Sequence, residues 1–305
     1  MKERVILAGG SGLIGHSLVP LLLSEGYEVV ILTRTPFSTE NGLIAAGWDG
    51  RTLGDWVRHL NNAAAVVNLT GHSINCRHTA ENRRLIVASR VDSVRVLGEA
   101  IARSAQPPAA FVQAAGIGLY GDAGDRWCDE SAPPGTDFVA EVCERWETAF
   151  ADVATPKTRK VLLRLGVVLS PAGGFLKMLS RLTRLFLGGQ IGNGEQFISW
   201  IHMADLTHMF QVAIEMPEIT GVYNACSPNP VANAEFMRDL RRTLHRPWSP
   251  PVPKFAARIG SWLMGTEASL AFLSQRAVPR HFLEQDFGFD FPELRSALCN
   301  LLPPS

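Results

Sequence analysis

Two rhythms of apolar residues alternate along the first part of the chain. Short continuous apolar runs mark strands buried on both faces. Between them, apolar residues return every three or four positions, as on amphipathic helices. Val5 to Ala8 is the first run, and a helix is predicted over Leu13 to Ser24 with Leu18, Leu21 and Leu22 inward. Strands follow at Glu28 to Arg34 and Ala64 to Gly71. A long helix is expected from Thr79 to Ser104, with Val87, Val91, Val94, Gly98 and Ile101 as its buried stripe. Next come a strand over Ala110 to Ala115, a helix over Phe138 to Val153 capped by Thr136 or Asp137, and a strand over Val161 to Leu169. Pro36 to Gly54 reads as loop. This alternation predicts an α/β fold, a parallel sheet with helices on both faces.

The rhythm changes after Ser170. Leu176, Leu179, Leu182 and Leu185 predict a helix that ends in the glycine-rich loop Gly188 to Gly194. Ser199 to Asp205 leads into a helix through Glu215, which Asp205 is expected to cap. His202 is a candidate polar group in a cleft. A strand over Gly221 to Ala225 and a helix over Asn233 to Leu244 follow. Four prolines between Pro247 and Pro253 then read as a stiff connection. In the tail, Phe255, Ile259, Trp262, Leu263, Leu270 and Leu273 are expected to supply packing. The predicted organisation is a core over residues 1–245, with substrate-side segments at about 171–200, and a mostly helical lobe over 246–305.

The most informative chemistry is the turn after the first strand, Gly9-Gly10-Ser11-Gly12-Leu13-Ile14-Gly15. Between a strand and a helix, such glycines permit a tight turn, backbone approach to a pyrophosphate and close helix packing. The free N–H groups and positive dipole at the helix start attract phosphate. The sheet is therefore expected to be a doubly wound one. The second strand ends in Thr33 and Arg34, with no acidic residue to hold a ribose 2′-hydroxyl. A guanidinium there suits a 2′-phosphate, so NADP(H) is the expected cofactor. Asn68, Leu69, Thr70 and Gly71, at the end of another strand, are candidate contacts. Arg90 either reaches the cofactor or snorkels to solvent.

Composition narrows the remaining classes. The 305 residues carry 29 basic and 29 acidic side chains, which gives no bulk charge for nucleic acid or an anionic membrane. Only five lysines occur. The five cysteines are scattered without a CxxC pair, so neither a zinc site nor a disulfide framework is expected, and a reducing cytoplasm is the expected compartment. The opening apolar run is read as the first strand, not a signal peptide, and no run approaches a membrane span. A small-molecule substrate is expected, with homo-oligomerisation left open.

These residues together resemble the extended short-chain dehydrogenase/reductases, the NAD-dependent epimerase/dehydratase superfamily. Gly9, Gly12 and Gly15 match its GxxGxxG turn. Tyr120-Gly121-Asp122, His202 to Asp205 and Gly221 to Asn224 match later landmarks. An atypical subgroup called epimerase family proteins is matched at Leu32-Thr33-Arg34, Arg164 to Leu169, Gly188 to Gly194 and Gln275 to Pro279. The resemblance implies cofactor contacts at the glycine turn, Thr33, Arg34, Leu69, Thr70, Arg90 and Val168. It implies a Rossmann core that binds NADP(H), with a smaller lobe built from the later segments, in an NADP(H)-dependent oxidoreductase or sugar-nucleotide epimerase. The superfamily's Ser and Tyr-x-x-x-Lys are missing, however. Ala115 or Gly116, Phe138 and Val142 fall at those places, and no Tyr-x-x-x-Lys exists in the chain. Two readings stay open: an enzyme with substituted acid/base groups, for which Tyr120 is the best proton donor, or a protein that binds NADPH without turnover.

Overall fold

A computed structural model describes residues 3–37, 42–263 and 265–303. Seven parallel strands form the central sheet: β1 (Arg4–Ala8), β2 (Glu28–Thr33), β3 (Leu43–Gly47), β4 (Ala63–Asn68), β5 (Ala110–Gly116), β6 (Arg159–Leu165) and β7 (Gly221–Ala225). Their spatial order is β3-β2-β1-β4-β5-β6-β7. This is a Rossmann-like doubly wound sheet, in which the order reverses between β1 and β4. The crevice beyond the strand ends at such a switch point is where ligands bind in open sheets of this kind.

Helices cover both faces. α1 (Leu13–Ser24) and α5 (Met203–Glu215) pack on one face through Leu18, Leu22, Met209 and Phe210. On the other, α2 (Ala80–Arg103) and α3 (Phe138–Asp152) pack through Val94, Leu97, Ile101, Trp146 and Phe150. α2 is capped by Thr79, and α3 by Asp137, whose carboxylate accepts from Val139 and Ala140 N–H. The buried stripe of α2 runs through Ile86, Ser93, Val94, Leu97 and Ile101, while Val87 and Val91 are only half-buried.

Four expectations need correction. The predicted loop from Pro36 to Gly54 contains β3, a half-buried edge strand. The run Val161 to Leu169 is two strands. β6 ends at Leu165, and after Gly166 the segment Val167–Leu169 leaves the main sheet to pair with Trp200–His202. Asp205 does not cap α5. The cap is His202, whose Nδ1 accepts from Ala204 N–H at 3.0 Å, and Asp205 instead accepts from Asp290 and Phe291 N–H. The tail beyond the prolines contains α7 (Lys254–Leu263), α8 (Arg280–Glu284) and α9 (Leu294–Leu301). Phe255, Ile259, Trp262 and Leu263 of α7 do not pack inward and are 56–71% exposed. The inward face of α7 is made of small residues, with Ser261 buried.

The tail is joined to the core at several points. α9 packs with α4 (Gly174–Arg184) and α6 (Asn233–Thr243) around Leu176, Trp200, Phe236 and Leu298. Arg276–Ala277 pairs with Trp127–Cys128 as a two-stranded ribbon. The proline connection is docked too: Val252 N–H donates to Gln190 O, and Val252 O accepts in return from Gly192 N–H.

Candidate functional site

The crevice begins at the turn between β1 and α1. Gly9 has φ +76°, and a side chain there would press on Leu69 and Thr70 at about 3.1–3.2 Å. At Gly15 a Cβ would lie 1.9 Å from Gly10 O, so the helix can approach its own turn this closely only with glycine. The start of α1 has no side-chain cap and no acidic residue in its first turn. Its leading N–H groups, at Leu13 and Ile14, therefore meet no competing carboxylate. A Cβ added at Gly173 or Gly174 would meet the Leu13 side chain at 3.2 or 3.5 Å, which places the segment after Val168 at the same edge. Val168 is half-buried and pairs with Ile201.

Thr33 and Arg34 stand at the end of β2. Arg34 is exposed and makes no ion pair among the described residues. Across the switch point, β4 ends in Asn68, which is fully buried and wholly engaged. Its amide N–H donates to Ser93 Oγ and Gln113 Oε1, and its Oδ1 accepts from Thr70 N–H. Asn68 thus positions Thr70 rather than facing the crevice. Thr70 Oγ1 is buried without a hydrogen-bond partner. A buried, unpaired hydroxyl beside a glycine cradle is a group waiting for an acceptor or donor.

Arg90 reaches across the strand ends rather than to solvent. Its guanidinium lies against Gly71, donates to His72 O and Ile86 O at 2.9 Å, and stacks 4.9 Å from the Trp146 ring. Burial pushes its pKa down from the usual guanidinium range. No carboxylate pairs with it among the described residues.

Tyr120 is placed differently from the expectation of a proton donor. The side chain is 1% exposed. Its hydroxyl is 2.7 Å from Asn224 Oδ1 and 2.9 Å from Asp129 O, and accepts from Arg164 Nη1 at 3.0 Å. Arg164 is held in turn by a bidentate pair with Glu147. Burial raises the phenol pKa, and the nearby Arg164 opposes the shift without cancelling it. The hydroxyl belongs to a closed internal network with no face to the crevice.

At the places expected for the missing acid/base groups stand Ala115 or Gly116, Phe138 and Val142. Val142 is buried. Cys143, one residue on, faces the place where a side chain at Gly116 or Gly118 would stand, with its Sγ 3.7 or 3.4 Å from such a Cβ, and burial pushes its thiol up to about 12. The Phe138 ring meets the His78 ring edge-on at 5.0 Å and carries the Arg83 guanidinium 4.5 Å from its centroid. Sequence reasoning passed over His78 and Arg83, because the loop from His72 to His78 has no periodicity to tie it to α3.

Residues 5–226 match the family model described as the NAD dependent epimerase/dehydratase family. The chain belongs to this family. Residues 252–301 match a second model, a domain of unknown function, DUF1731. Among relatives of this family member, the epimerase family protein SDR39U1 of Bos taurus is 35% identical over 98% of this chain and 99% of its own. The epimerase family protein YfhF of Bacillus subtilis is 30% identical over 98% of both. A crystal structure of the human epimerase family protein SDR39U1 with NADPH superposes with a TM-score of 0.87, at 31% identity, covering 98% of this chain and 99% of that one. A homologue from Arabidopsis thaliana, 33% identical over 97% of this chain and 86% of its own, is named chloroplastic. Among the described residues of this chain, no helix is long and apolar enough to cross a membrane.

Proposed function

We propose that this protein binds NADP(H) across the β1–β4 crevice and acts as an oxidoreductase or epimerase-like enzyme on a small molecule. The observation that carries the cofactor is the cradle itself: a glycine turn with uncapped helix N–H groups beside the unpartnered Thr70 hydroxyl. The NADPH named in the human relative's structure agrees with it. In this reading the α1 start and Gly9 to Gly15 receive the pyrophosphate, Arg34 and Thr33 the 2′-phosphate, and Leu69 to Gly71 with Arg90 the strand-end side. Leu13 and Val168 supply apolar walls. Bound cofactor would supply hydride chemistry. The chain's residues bind and orient it, and Arg90 adds an unpaired positive charge at the crevice edge.

Calorimetric titration with NADPH and NADH tests this reading on wild type and Arg34→Ala. A charge-assisted contact is worth about 1.5–3 kcal/mol, so the variant should lose about tenfold or more in NADPH affinity and little for NADH. Equal affinities for the two cofactors in wild type would overturn it.

A second reading is a protein that holds NADPH without turnover. It is favoured by one observation: Phe138 and Val142 offer no proton, and the Tyr120 hydroxyl is enclosed. General acid/base help contributes about 10²–10⁴ in rate. Nicotinamide absorbance against carbonyl and nucleotide-sugar panels separates the two readings. Turnover that survives Tyr120→Phe would support an enzyme that does not use Tyr120.

A further inference from the structure

The loop that Arg90 holds through His72 O at the crevice edge, and the first turn of α2 that follows it, carry two guanidinium groups, those of Arg77 and Arg83, that no carboxylate pairs among the described residues. Arg77 donates from Nη2 to Trp262 O at 2.8 Å and lies 5.2 Å from that ring's centroid. Arg83 donates from Nε to His78 O at 3.2 Å and stacks on Phe138. Asn82 Nδ2 ties α2 back to Arg77 O at 2.7 Å. Each guanidinium is thus fixed by a carbonyl and a ring, while both Nη groups of Arg83, and Nε and Nη1 of Arg77, have no hydrogen-bond partner among the described residues. Neither makes an ion pair there. Farther along the same two helices, Arg103 and Arg145 pair with Glu99 and Glu141 one turn back. The nearby Glu267 is taken by His78: its carboxylate accepts from His78 N–H and lies 3.9 Å from Nδ1.

We propose that Arg77 and Arg83 form a subsite for an oxyanion, a carboxylate or phosphate monoester, on the substrate of this protein. The proposal rests on the reading of the crevice as a cofactor site and supplies the charged group of the molecule that meets the cofactor. An exposed arginine ordinarily spends rotamer entropy to hold an anion. Here the stacking and carbonyl bonds have already fixed the planar fork, so less is lost on binding. The free Nη edges match the paired oxygens of a carboxylate or phosphate. A guanidinium stays protonated, so at the Phe138 place it binds and orients and transfers no proton.

The test uses full-length protein and three probes: inorganic phosphate, phenyl phosphate and benzoate. Each is titrated by calorimetry into wild type, Arg83→Gln, Arg77→Gln and Arg103→Gln, without nucleotide and at saturating NADPH. Melting temperatures without probe report folding, and Arg83→Lys provides a charge-conserving variant. Saturable binding of at least one probe is expected in the presence of NADPH. Arg83→Gln and Arg77→Gln should each weaken it about tenfold or more, Arg83→Lys less, and Arg103→Gln not at all. Preference for phenyl phosphate or for benzoate identifies the source of the oxyanion. No saturable binding, or binding unchanged in both glutamine variants, would overturn the proposal. Phosphate that binds only without NADPH and ignores Arg83 sits on the glycine cradle and also overturns it. NADPH affinity is read in the same titrations, so failure of the cofactor reading is seen separately.

Discussion

Replacing Thr70 by Val should move stability and cofactor affinity in opposite directions. Thr70 Oγ1 is buried and unpartnered, while the backbone N–H of the same residue is held by Asn68 Oδ1. Valine keeps the branched shape and the backbone bond and removes only the hydroxyl. It replaces that oxygen with a methyl facing Gly9, which has no Cβ to collide with it. An unsatisfied buried hydroxyl costs about 1–3 kcal/mol, so its removal should raise stability by about 1 kcal/mol. That corresponds to a rise of about 2 °C in the melting temperature of a chain this long. If the hydroxyl bonds NADPH, the complex loses a neutral hydrogen bond of about 0.5–1.5 kcal/mol, or about two- to tenfold in affinity. Differential scanning calorimetry without cofactor and isothermal titration with NADPH measure the two effects, with Thr70→Ser as the control that keeps the oxygen. A variant that melts several degrees lower and binds NADPH unchanged would refute the reasoning, because the hydroxyl would then be a structural bond.

Three more outcomes follow from the geometry. Tyr120→Phe should cost about 1–3 kcal/mol in urea unfolding, since it strips a donor from the buried Asn224 Oδ1, and should leave NADPH affinity unchanged. Protonation of His202 should weaken the fold: Nδ1 must keep its lone pair to cap α5, and burial lowers its pKa despite the opposing bond to Asn300. Its contribution is present above the unfolded value of about 6.5 and is lost as pH falls through that value toward the lower folded one. The melting temperature should therefore drop between about pH 7 and 5, less steeply in His202→Asn. Residues 246–305 expressed alone should show no cooperative thermal transition, because Leu294, Ala297 and Leu298 are buried in one apolar cluster with residues of α4 and α6, which the fragment lacks.

Much of this was legible where local chemistry and fold agree. The strand, glycine turn and helix from Val5 to Ser24 stand as the spacing predicts, because the buried Val5, Leu7, Leu18 and Leu22 and the glycine contacts all belong to one short stretch. β3 escaped notice because Leu-Ile-Ala-Ala-Gly is short, half-buried and weakly alternating. The break at Gly166 was hidden inside an unbroken apolar run, since both halves are strands and only their partners differ. Asp205 looked like a cap because an acid near a helix start usually is one; its real partners are 85 and 86 residues away. The spacing of Phe255, Ile259 and Trp262 correctly says that α7 is two-faced, but periodicity does not say which face meets the protein. The glycine turn beside Thr70, which the proposed function reads as the cofactor cradle, was visible in its glycines. Enclosure of Tyr120 was not legible, because Asp129, Arg164 and Asn224 converge on it from three separate segments.

The ribbon between Trp127–Cys128 and Arg276–Ala277 sets an order of events during synthesis. The strand formed by residues 127–128 leaves the ribosome about 150 residues before its partner. Until then Ile117, Leu119, Tyr120, Cys128 and Cys226 lack the Ala277 that completes their cluster. Asp205 likewise waits for the backbone of residues 290 and 291. A nascent chain that already contains all seven sheet strands therefore still exposes cysteines and apolar surface that residues 276–291 will cover. Termination between residues 226 and 276 would release a chain that holds all seven sheet strands but leaves this cluster unsealed, a ready substrate for chaperones and proteases and prone to cysteine oxidation.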